Sequence, residues 1–248
     1  MNMSGNTIVI PGATSGIGLG LARRFAAAGN KVVIAGRRRH LIDQIVAEND
    51  DIEGFVLDVT DPQSIDAAVE TIKTRYPATN VLAAVAGIQL PEDLRGGDFL
   101  PTAEATVETN LLGPIRLIAA FSEFLQTKDD AAIITVSSGL AFVPLPLTPT
   151  YNATKAGIHS FTESLRVQLA GTSVQVIELV PPAVRTTLMG QENLESAMSL
   201  DEFLKEAWEL LESEPDADEI LVDRVKFQRF AEVEGRYDDV LQMLSAYH

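Results

Sequence analysis

The chain has 248 residues, of which 46% are hydrophobic and 22% charged, and its formal net charge is −16. It contains no cysteine, which excludes disulfides, thiolate nucleophiles and cysteine-ligated zinc. The excess of acidic residues disfavours nucleic acid and anionic membranes as partners, and the apolar runs are shorter than the roughly 18–20 residues of a membrane helix.

Short apolar runs alternate with longer helical patterns through most of the chain, which is typical of βαβ units. The predicted strands are Thr7–Ile10, Lys31–Ala35, Gly54–Asp58, Val81–Ala86, Ala131–Ser137 and Ser173–Val180. The predicted helices lie near Gly16–Ala28, Arg39–Asn49, Pro62–Tyr76, Thr102–Gln126 and Thr150–Ala170. Unbroken apolar strands indicate a sheet covered on both faces. We therefore predict an α/β fold with a doubly wound parallel sheet of the Rossmann type, in three α/β/α layers, as a single domain over residues 1–248.

The pattern loosens after the sixth predicted strand. The acidic segment Arg185–Pro215 contains a helical stretch, Leu200–Glu212, and is predicted to be a substrate-binding loop or lid. Phe203 and Trp208 in that stretch either cover a substrate or anchor the segment. Glu219–Lys226 is predicted as a last strand and Gly235–Tyr247 as a terminal helix.

A glycine-rich loop joins the first strand to the first helix, with the spacing Gly-x-x-x-Gly-x-Gly. Glycines permit a tight turn and a close backbone approach to a pyrophosphate, and the helix N-terminus favours an anion. The candidate phosphate-binding residues are Gly12, Thr14, Ser15, Gly16, Ile17 and Gly18. The alternative is an ordinary helix start, but a strand before the loop and a helix after it favour a dinucleotide site.

The second strand is followed by arginines rather than by an acidic residue. Arg37 and Arg38 suit the 2′-phosphate of NADP, because a guanidinium grips phosphate with two hydrogen bonds, and NADP(H) is therefore predicted over NAD(H). A solvated helix start is the alternative. Asp58, followed by Val59, either accepts from the adenine amino group or has a capping role before the third helix.

Tyr151 and Lys155 are four residues apart on one predicted helix, so they share a face of it. A neighbouring ammonium favours phenolate, and we expect it to lower the tyrosine pKa towards the range of a general acid/base. Ser138 ends the preceding strand and Asn110 lies in the helix before that. Either residue alone would be unremarkable, and their joint placement with Tyr151 carries the prediction.

Together these motifs resemble the short-chain dehydrogenase/reductase family, over most of residues 7–187. The resemblance places the family's catalytic residues at Asn110, Ser138, Tyr151 and Lys155. It implies hydride transfer at a carbonyl or alcohol carbon, with Tyr151 moving the proton, Lys155 holding the nicotinamide ribose, and Asn110 holding a water through its backbone. It also implies further cofactor contacts at Ala86, Gly87, Val184 and Thr186. The runs 139–144 and 229–232 resemble the DltE-like branch, linked by name to D-alanine esterification, for which no residue offers support.

Four departures from the family pattern stand out. Pro11 replaces the leading Thr of the glycine motif, and the sequence Ala84-Val85-Ala86-Gly87 replaces Asn-Asn-Ala-Gly. Pro182 replaces a glycine near the expected nicotinamide, which fixes φ and removes an N–H. The usual C-terminal Val-Asp-Gly-Gly ending is absent, so the sequence gives no support for the tetramer contact that the family makes there.

We therefore predict a cytoplasmic NADP(H)-dependent oxidoreductase, without a signal peptide, that interconverts a ketone or aldehyde and an alcohol as a homodimer or homotetramer. Leu140, Phe142, Val143 and Leu145 are expected to line a mainly apolar substrate site. A non-catalytic NADP(H) sensor and another enzyme on this scaffold, such as an enoyl reductase or dehydratase, remain alternatives. No serine hydrolase elbow is present, and three scattered histidines give no argument for a metal; His159 is predicted to be structural.

Overall fold

Strands and helices alternate along the chain in a computed structural model that describes residues 1–246. The strands are β1 (Thr7–Pro11), β2 (Lys31–Gly36), β3 (Ile52–Val56), β4 (Val81–Ala84), β5 (Ala131–Val136), β6 (Val174–Leu179) and β7 (Glu219–Ile220). The helices are α1 (Gly16–Ala27), α2 (Arg39–Glu48), α3 (Pro62–Arg75), α4 (Leu100–Val107), α5 (Gly113–Leu125), α6 (Pro149–Gln168), α7 (Leu200–Ser213), α8 (Lys226–Arg229) and α9 (Tyr237–Ser245).

All seven strands pair in parallel in the order β3-β2-β1-β4-β5-β6-β7. The order reverses between β1 and β4, and ligands of such sheets bind in the crevice beyond the carboxyl ends of the strands at this switch point. The predicted doubly wound Rossmann sheet is confirmed.

The two sheet faces bury two separate hydrophobic clusters, because successive strand side chains point in opposite directions. In β1, Ile8 and Ile10 join the cluster of Phe25 in α1, whereas Val9 joins that of Phe121 in α5. The helices α1, α2 and α7 cover the first face, and α3, α5 and α6 cover the second. This alternation explains why the strands read as unbroken apolar runs.

Helix α7 belongs to the helical layer beside α1. Phe203 is fully buried, and Leu204 packs directly against Gly20 of α1. The ring of Trp208 meets that of Phe25 edge to face, with centroids 5.1 Å apart. Of the two roles considered for Phe203 and Trp208, anchoring is the one that the packing supports.

The helix predicted over Thr102–Gln126 is interrupted by a π-helical turn, Glu108–Leu112, between α4 and α5. Pro114 has no N–H to donate to the carbonyl of Asn110, four residues earlier, so a regular α-helix cannot continue there. π-turns within helices are frequent at functional sites, and this one carries Asn110.

Other predicted boundaries were wrong by small amounts. Strand β3 ends at Val56 rather than at Asp58, because Asp58 bonds to Thr60 in a local turn. The last strand ends at Ile220, because its neighbour β6 ends at Leu179, and a 3₁₀ turn and α8 follow. The predicted end of the terminal helix, Tyr247, lies outside the described residues. Among the helices of residues 1–246, none combines the length and apolar character that a membrane crossing needs.

Candidate active site

One cavity of about 840 Å³ lies at the carboxyl ends of the strands and extends from the glycine loop to the Ser138 region. Its volume lies within the range of ligand and cofactor sites. Every predicted catalytic and cofactor-binding residue except Asn110 lines it: Gly12, Thr14, Ser15, Gly16, Ile17, Gly18, Arg37, Arg38, Asp58, Val59, Ala86, Gly87, Ser138, Tyr151, Lys155, Val184 and Thr186. The fold therefore brings the two motifs, more than 100 residues apart, to one space.

The glycine loop packs backbone against backbone. Gly12 has φ +93°, and a Cβ at this position would lie only 2.5 Å from the backbone nitrogen of Ala86. A Cβ on Gly18 would lie 2.6 Å from the carbonyl oxygen of Gly12. Within residues 1–246, Ser15 at the N-cap of α1 makes no side-chain capping hydrogen bond. The first-turn N–H groups of α1 and its positive dipole end therefore lie where an anion would be stabilised.

Arg38 joins the end of β2 to this loop. Its Nη2 donates to Thr14 Oγ1 at 2.7 Å and to Ser15 Oγ at 3.0 Å. Arg37 also lines the cavity, whereas Arg39 pairs with Asp43 outside it, at 3.9 Å. Two guanidinium groups thus flank the cavity end that adjoins the helix N-terminus.

Asp58 is held by two hydrogen bonds from Thr60, at 2.9 Å from the backbone nitrogen and 2.8 Å from the hydroxyl. Burial acts to raise the pKa of Asp58, but the two Thr60 bonds and the charge of Arg37 outweigh it, so the pKa lies below the ordinary value. The helix cap of α3 is supplied by Asp61, which accepts from Gln63 N at 2.9 Å. Asp58 therefore does not have the capping role that was its alternative.

Ser138, Tyr151 and Lys155 meet at the other end of the cavity, all of them buried. Ser138 follows β5, and its Oγ accepts from Leu140 N at 3.1 Å. Lys155 Nζ donates to the Val136 carbonyl at 2.8 Å and lies 5.5 Å from the centre of the Tyr151 ring. The helix pairs the phenol and the ammonium on one face, as the four-residue spacing predicts.

The expected lowering of the Tyr151 pKa does not occur in this structure. Burial raises the pKa of Tyr151 to about 12, and the neighbouring Ser138 hydroxyl opposes this only in part. Burial also lowers the pKa of Lys155 to about 8, against the opposite effect of Glu178. Desolvation of both groups, which the sequence does not reveal, outweighs the effect of their proximity.

Asn110 lies behind this group rather than in the cavity lining. Its side-chain amide donates to the Ile88 carbonyl at 2.7 Å and accepts from Ile88 N at 2.8 Å. A Cβ on Gly87 would lie 3.4 Å from Asn110 Oδ1 and 3.9 Å from Lys155 Nζ. Asn110 thus fixes the backbone that follows β4 beside the lysine.

The rest of the cavity wall comes from segments without recognisable motifs. Leu140 and Leu145 line it as expected, but Phe142 and Val143 do not, since Phe142 packs on His159 and Val143 packs with Ala231 and Val240. Leu188 and Leu194, within the segment Arg185–Pro215 predicted to bind substrate, also line it. Lining residues that the sequence did not predict include Gln89, Leu147, Arg224, Phe227, Gln228 and Met243. The last four belong to the chain after β7. The low polarity of the residues near them in the sequence was the one feature that could have predicted this part of the cavity wall.

The family model for short chain dehydrogenases matches residues 6–197. The uncharacterized oxidoreductase DltE of Bacillus subtilis (strain 168) is 42% identical over 189 residues, covering 76% of this chain and 75% of that protein. A sulfoacetaldehyde reductase of Chromohalobacter salexigens is 32% identical over 186 residues, covering 72% of each. The crystal structure of 3-ketoacyl-(acyl-carrier-protein) reductase from Brucella melitensis with NADH is 26% identical, with TM-score 0.78 over 87% of this chain and 93% of that one. The chain therefore belongs to the short-chain dehydrogenase family of oxidoreductases and resembles its DltE-like branch.

Proposed function

We propose that this protein is an NADP(H)-dependent oxidoreductase that interconverts a ketone or aldehyde and an alcohol. The observation that carries the proposal is the single cavity that joins the glycine loop and its arginines to Ser138, Tyr151 and Lys155. The name of the Chromohalobacter relative, an aldehyde reductase, supports the same reaction class.

A dinucleotide fits the residues present. The loop conformation at Gly12 admits no side chain, because Ala86 lies against it, and the uncapped α1 terminus provides donors for a pyrophosphate. Arg37 and Arg38 would hold a 2′-phosphate, and Asp58 with Val59 the adenosine. Ala86, Gly87, Val184 and Thr186 would line the nicotinamide half. The bound coenzyme would supply or accept the hydride.

The protein's own residues would manage the proton and the oxygen of the substrate. With a pKa of about 12, Tyr151 is protonated at neutral pH and is ready to donate its proton to a carbonyl oxygen during reduction. Ser138, at the start of the turn after β5, would donate a hydrogen bond to the same oxygen and stabilise its developing charge. The ammonium of Lys155 would stabilise the phenolate left behind and hold the ribose. Asn110 would maintain the position of the backbone beside Lys155.

The lining favours a substrate with a mainly apolar body. Leucines at 140, 145, 147, 188 and 194 and Phe227 line the cavity, together with Gln89 and Gln228. We propose an aryl or alkyl ketone or an aldehyde. We also propose a cytoplasmic homodimer or homotetramer, as the family resemblance implies.

The proposal is tested by presenting the purified protein with a panel of such carbonyl compounds, with NADPH and with NADH, and following the oxidation of the coenzyme. Turnover with NADPH that is lost in Tyr151→Phe supports the proposal. Tight NADPH binding without turnover of any carbonyl would favour the sensor alternative, and reduction of an activated C=C bond would favour an enoyl reductase. Neither outcome is compatible with a carbonyl reductase.

A further inference from the structure

A buried group of charges lies behind the catalytic lysine, on the side away from the cavity. The Glu178 side chain in β6 is fully buried, and both its oxygens lie within 3.0 Å of His159 Nδ1. Glu219 in β7 lies 3.9 Å from the same nitrogen and forms a bidentate ion pair with Arg229, at 2.9–3.1 Å. The Phe142 ring contacts both basic side chains, with centroid distances of 4.8 Å to the His159 ring and 4.6 Å to the Arg229 guanidinium carbon.

The group lies on the same face of the sheet as Lys155. Lys155, His159 and Thr162 follow one another at four- and three-residue intervals along α6. Thr162 bonds to Thr135 in β5 at 2.9 Å, and Thr135 is the registered neighbour of Glu178 in β6. Registered neighbours in a parallel sheet point to the same face, so Glu178 lies beneath the helix turn that joins Lys155 to His159.

The charges explain why a carboxylate is tolerated there. A lone buried carboxylate is strongly destabilising, so Glu178 requires a cation. When His159 is protonated, the two carboxylates are balanced by His159 and Arg229. When His159 is neutral, one negative charge remains, and the nearest remaining cation on α6 is Lys155. His159, Glu178 and Glu219 lie close enough together to hold a metal ion. Because Arg229 already pairs with Glu219, we interpret these residues as a charge-balanced group and not as a metal site.

We propose that Glu178 is a positioning residue that keeps the buried Lys155 protonated, and that His159 weakens this effect when it carries a proton. The catalytic role of Lys155 rests on the proposed function, but the protonation state of its side chain can be measured whether or not that function is correct. The attraction of Glu178 raises the pKa of Lys155 against burial, and the bond to Glu178 is the main cause that raises the pKa of His159. The other charged groups that face His159 are Glu163 on α6 and Glu219 on β7, both of which raise its pKa.

The test follows Lys155 itself by NMR in the full-length, ligand-free protein labelled with ¹³C-lysine. The chain has six lysines, so the Lys155 signal is assigned as the one missing in Lys155→Met. The wild-type midpoint is expected at about 8. Glu178→Gln should lower it by at least ~0.5 unit, Glu178→Asp should restore it, and His159→Gln should raise it. Thr162→Val is the matched control, since it removes a buried uncharged hydrogen bond from the same helix face.

A lower midpoint in Glu178→Gln with an unchanged midpoint in Thr162→Val supports the proposal. An unchanged midpoint in Glu178→Gln overturns it, whatever happens to thermal stability, because a purely structural residue would affect stability alone. If Glu178→Gln does not fold, Glu178→Met, which removes the charge with a side chain of similar volume, decides: a lower midpoint supports the proposal and an unchanged one overturns it. None of these measurements needs turnover, so a failure to find a substrate would contradict the proposed function and not this inference.

Discussion

The preference for NADP(H) rests on Arg38 and is tested by Arg38→Ala. Both of the described hydrogen bonds of this guanidinium use Nη2 and go to hydroxyl groups of the glycine loop. Among residues 1–246, Nε and Nη1 have no such partner and are the donors that a 2′-phosphate would meet. The side chain would then join the phosphate to Thr14 and Ser15.

The magnitude follows from the strength of such bonds. A hydrogen bond to a charged group contributes about 1.5–3 kcal/mol, and about 1.4 kcal/mol is a tenfold change in Kd. Because Arg38 is exposed, the lower half of this range applies, and Arg38→Ala should weaken NADPH binding by roughly 10- to 40-fold. NADH, which has no 2′-phosphate, should bind within about threefold of its wild-type affinity.

The assay is a fluorescence titration of wild type, Arg38→Ala and Arg39→Ala with each coenzyme at fixed ionic strength. Arg39→Ala is the matched control, because Arg39 is the neighbouring arginine, pairs with Asp43 and lies outside the cavity. An equal loss of affinity for both coenzymes would refute the reasoning, since it would mean that Arg38 only supports the loop. An unchanged affinity for NADPH would refute it as well.

Three further predictions concern the catalytic and phosphate-binding ends of the cavity. Tyr151→Phe should lower kcat by about 10²- to 10⁴-fold with coenzyme Kd unchanged, since only the proton donor is lost; a near-normal kcat contradicts this role. Because the pKa of Tyr151 is raised to about 12, the phenolate fraction grows tenfold per pH unit below that value. Alcohol oxidation should therefore rise about tenfold per unit between roughly pH 6 and 8 while carbonyl reduction stays flat, and stopped-flow profiles that run the other way contradict the assignment. Gly12→Ala, at φ +93° and 2.5 Å from Ala86 N, should lower the free energy of unfolding by more than the matched Gly171→Ala, at φ +86° in open space, which should cost about 1–2 kcal/mol; equal melting curves would exclude the contact.

The local sequence was sufficient to predict those parts of the site that depend on residue spacing within one helix or one strand–helix junction. The four-residue step from Tyr151 to Lys155 sets their common face, and the glycine loop follows from one strand and one helix. The pKa of Tyr151 could not be predicted in this way. The direction of the pKa shift depends on how far segments distant in sequence bury the Tyr151 side chain. That burial raises the pKa, whereas Lys155 alone was expected to lower it.

The residues after β6 were predicted least well, for the same reason. Gln228 and Phe227 line the cavity, and α8, which carries them, is held by the Arg229–Glu219 ion pair and by the packing of Arg229 on Phe142. Those contacts join parts of the chain with no common periodicity, so no pattern in the sequence reveals them. For the same reason the last strand was predicted to run to Lys226 although it ends at Ile220, because an apolar run near a sheet edge does not indicate where the neighbouring strand stops.

The segment between Val184 and Met198 is closed at its base by two backbone hydrogen bonds, from Arg185 N to Met198 O at 2.8 Å and from Met198 N to Ala183 O at 2.9 Å. Both ends of this segment are therefore tied together before α7 begins, and α7 itself is secured against α1. Changes of length or composition within residues 187–196 would be absorbed above that junction and would not propagate into the sheet. If this segment binds the substrate as proposed, evolution or design could alter substrate choice by replacing one short insert, without changing the strands and helices that carry Ser138, Tyr151 and Lys155.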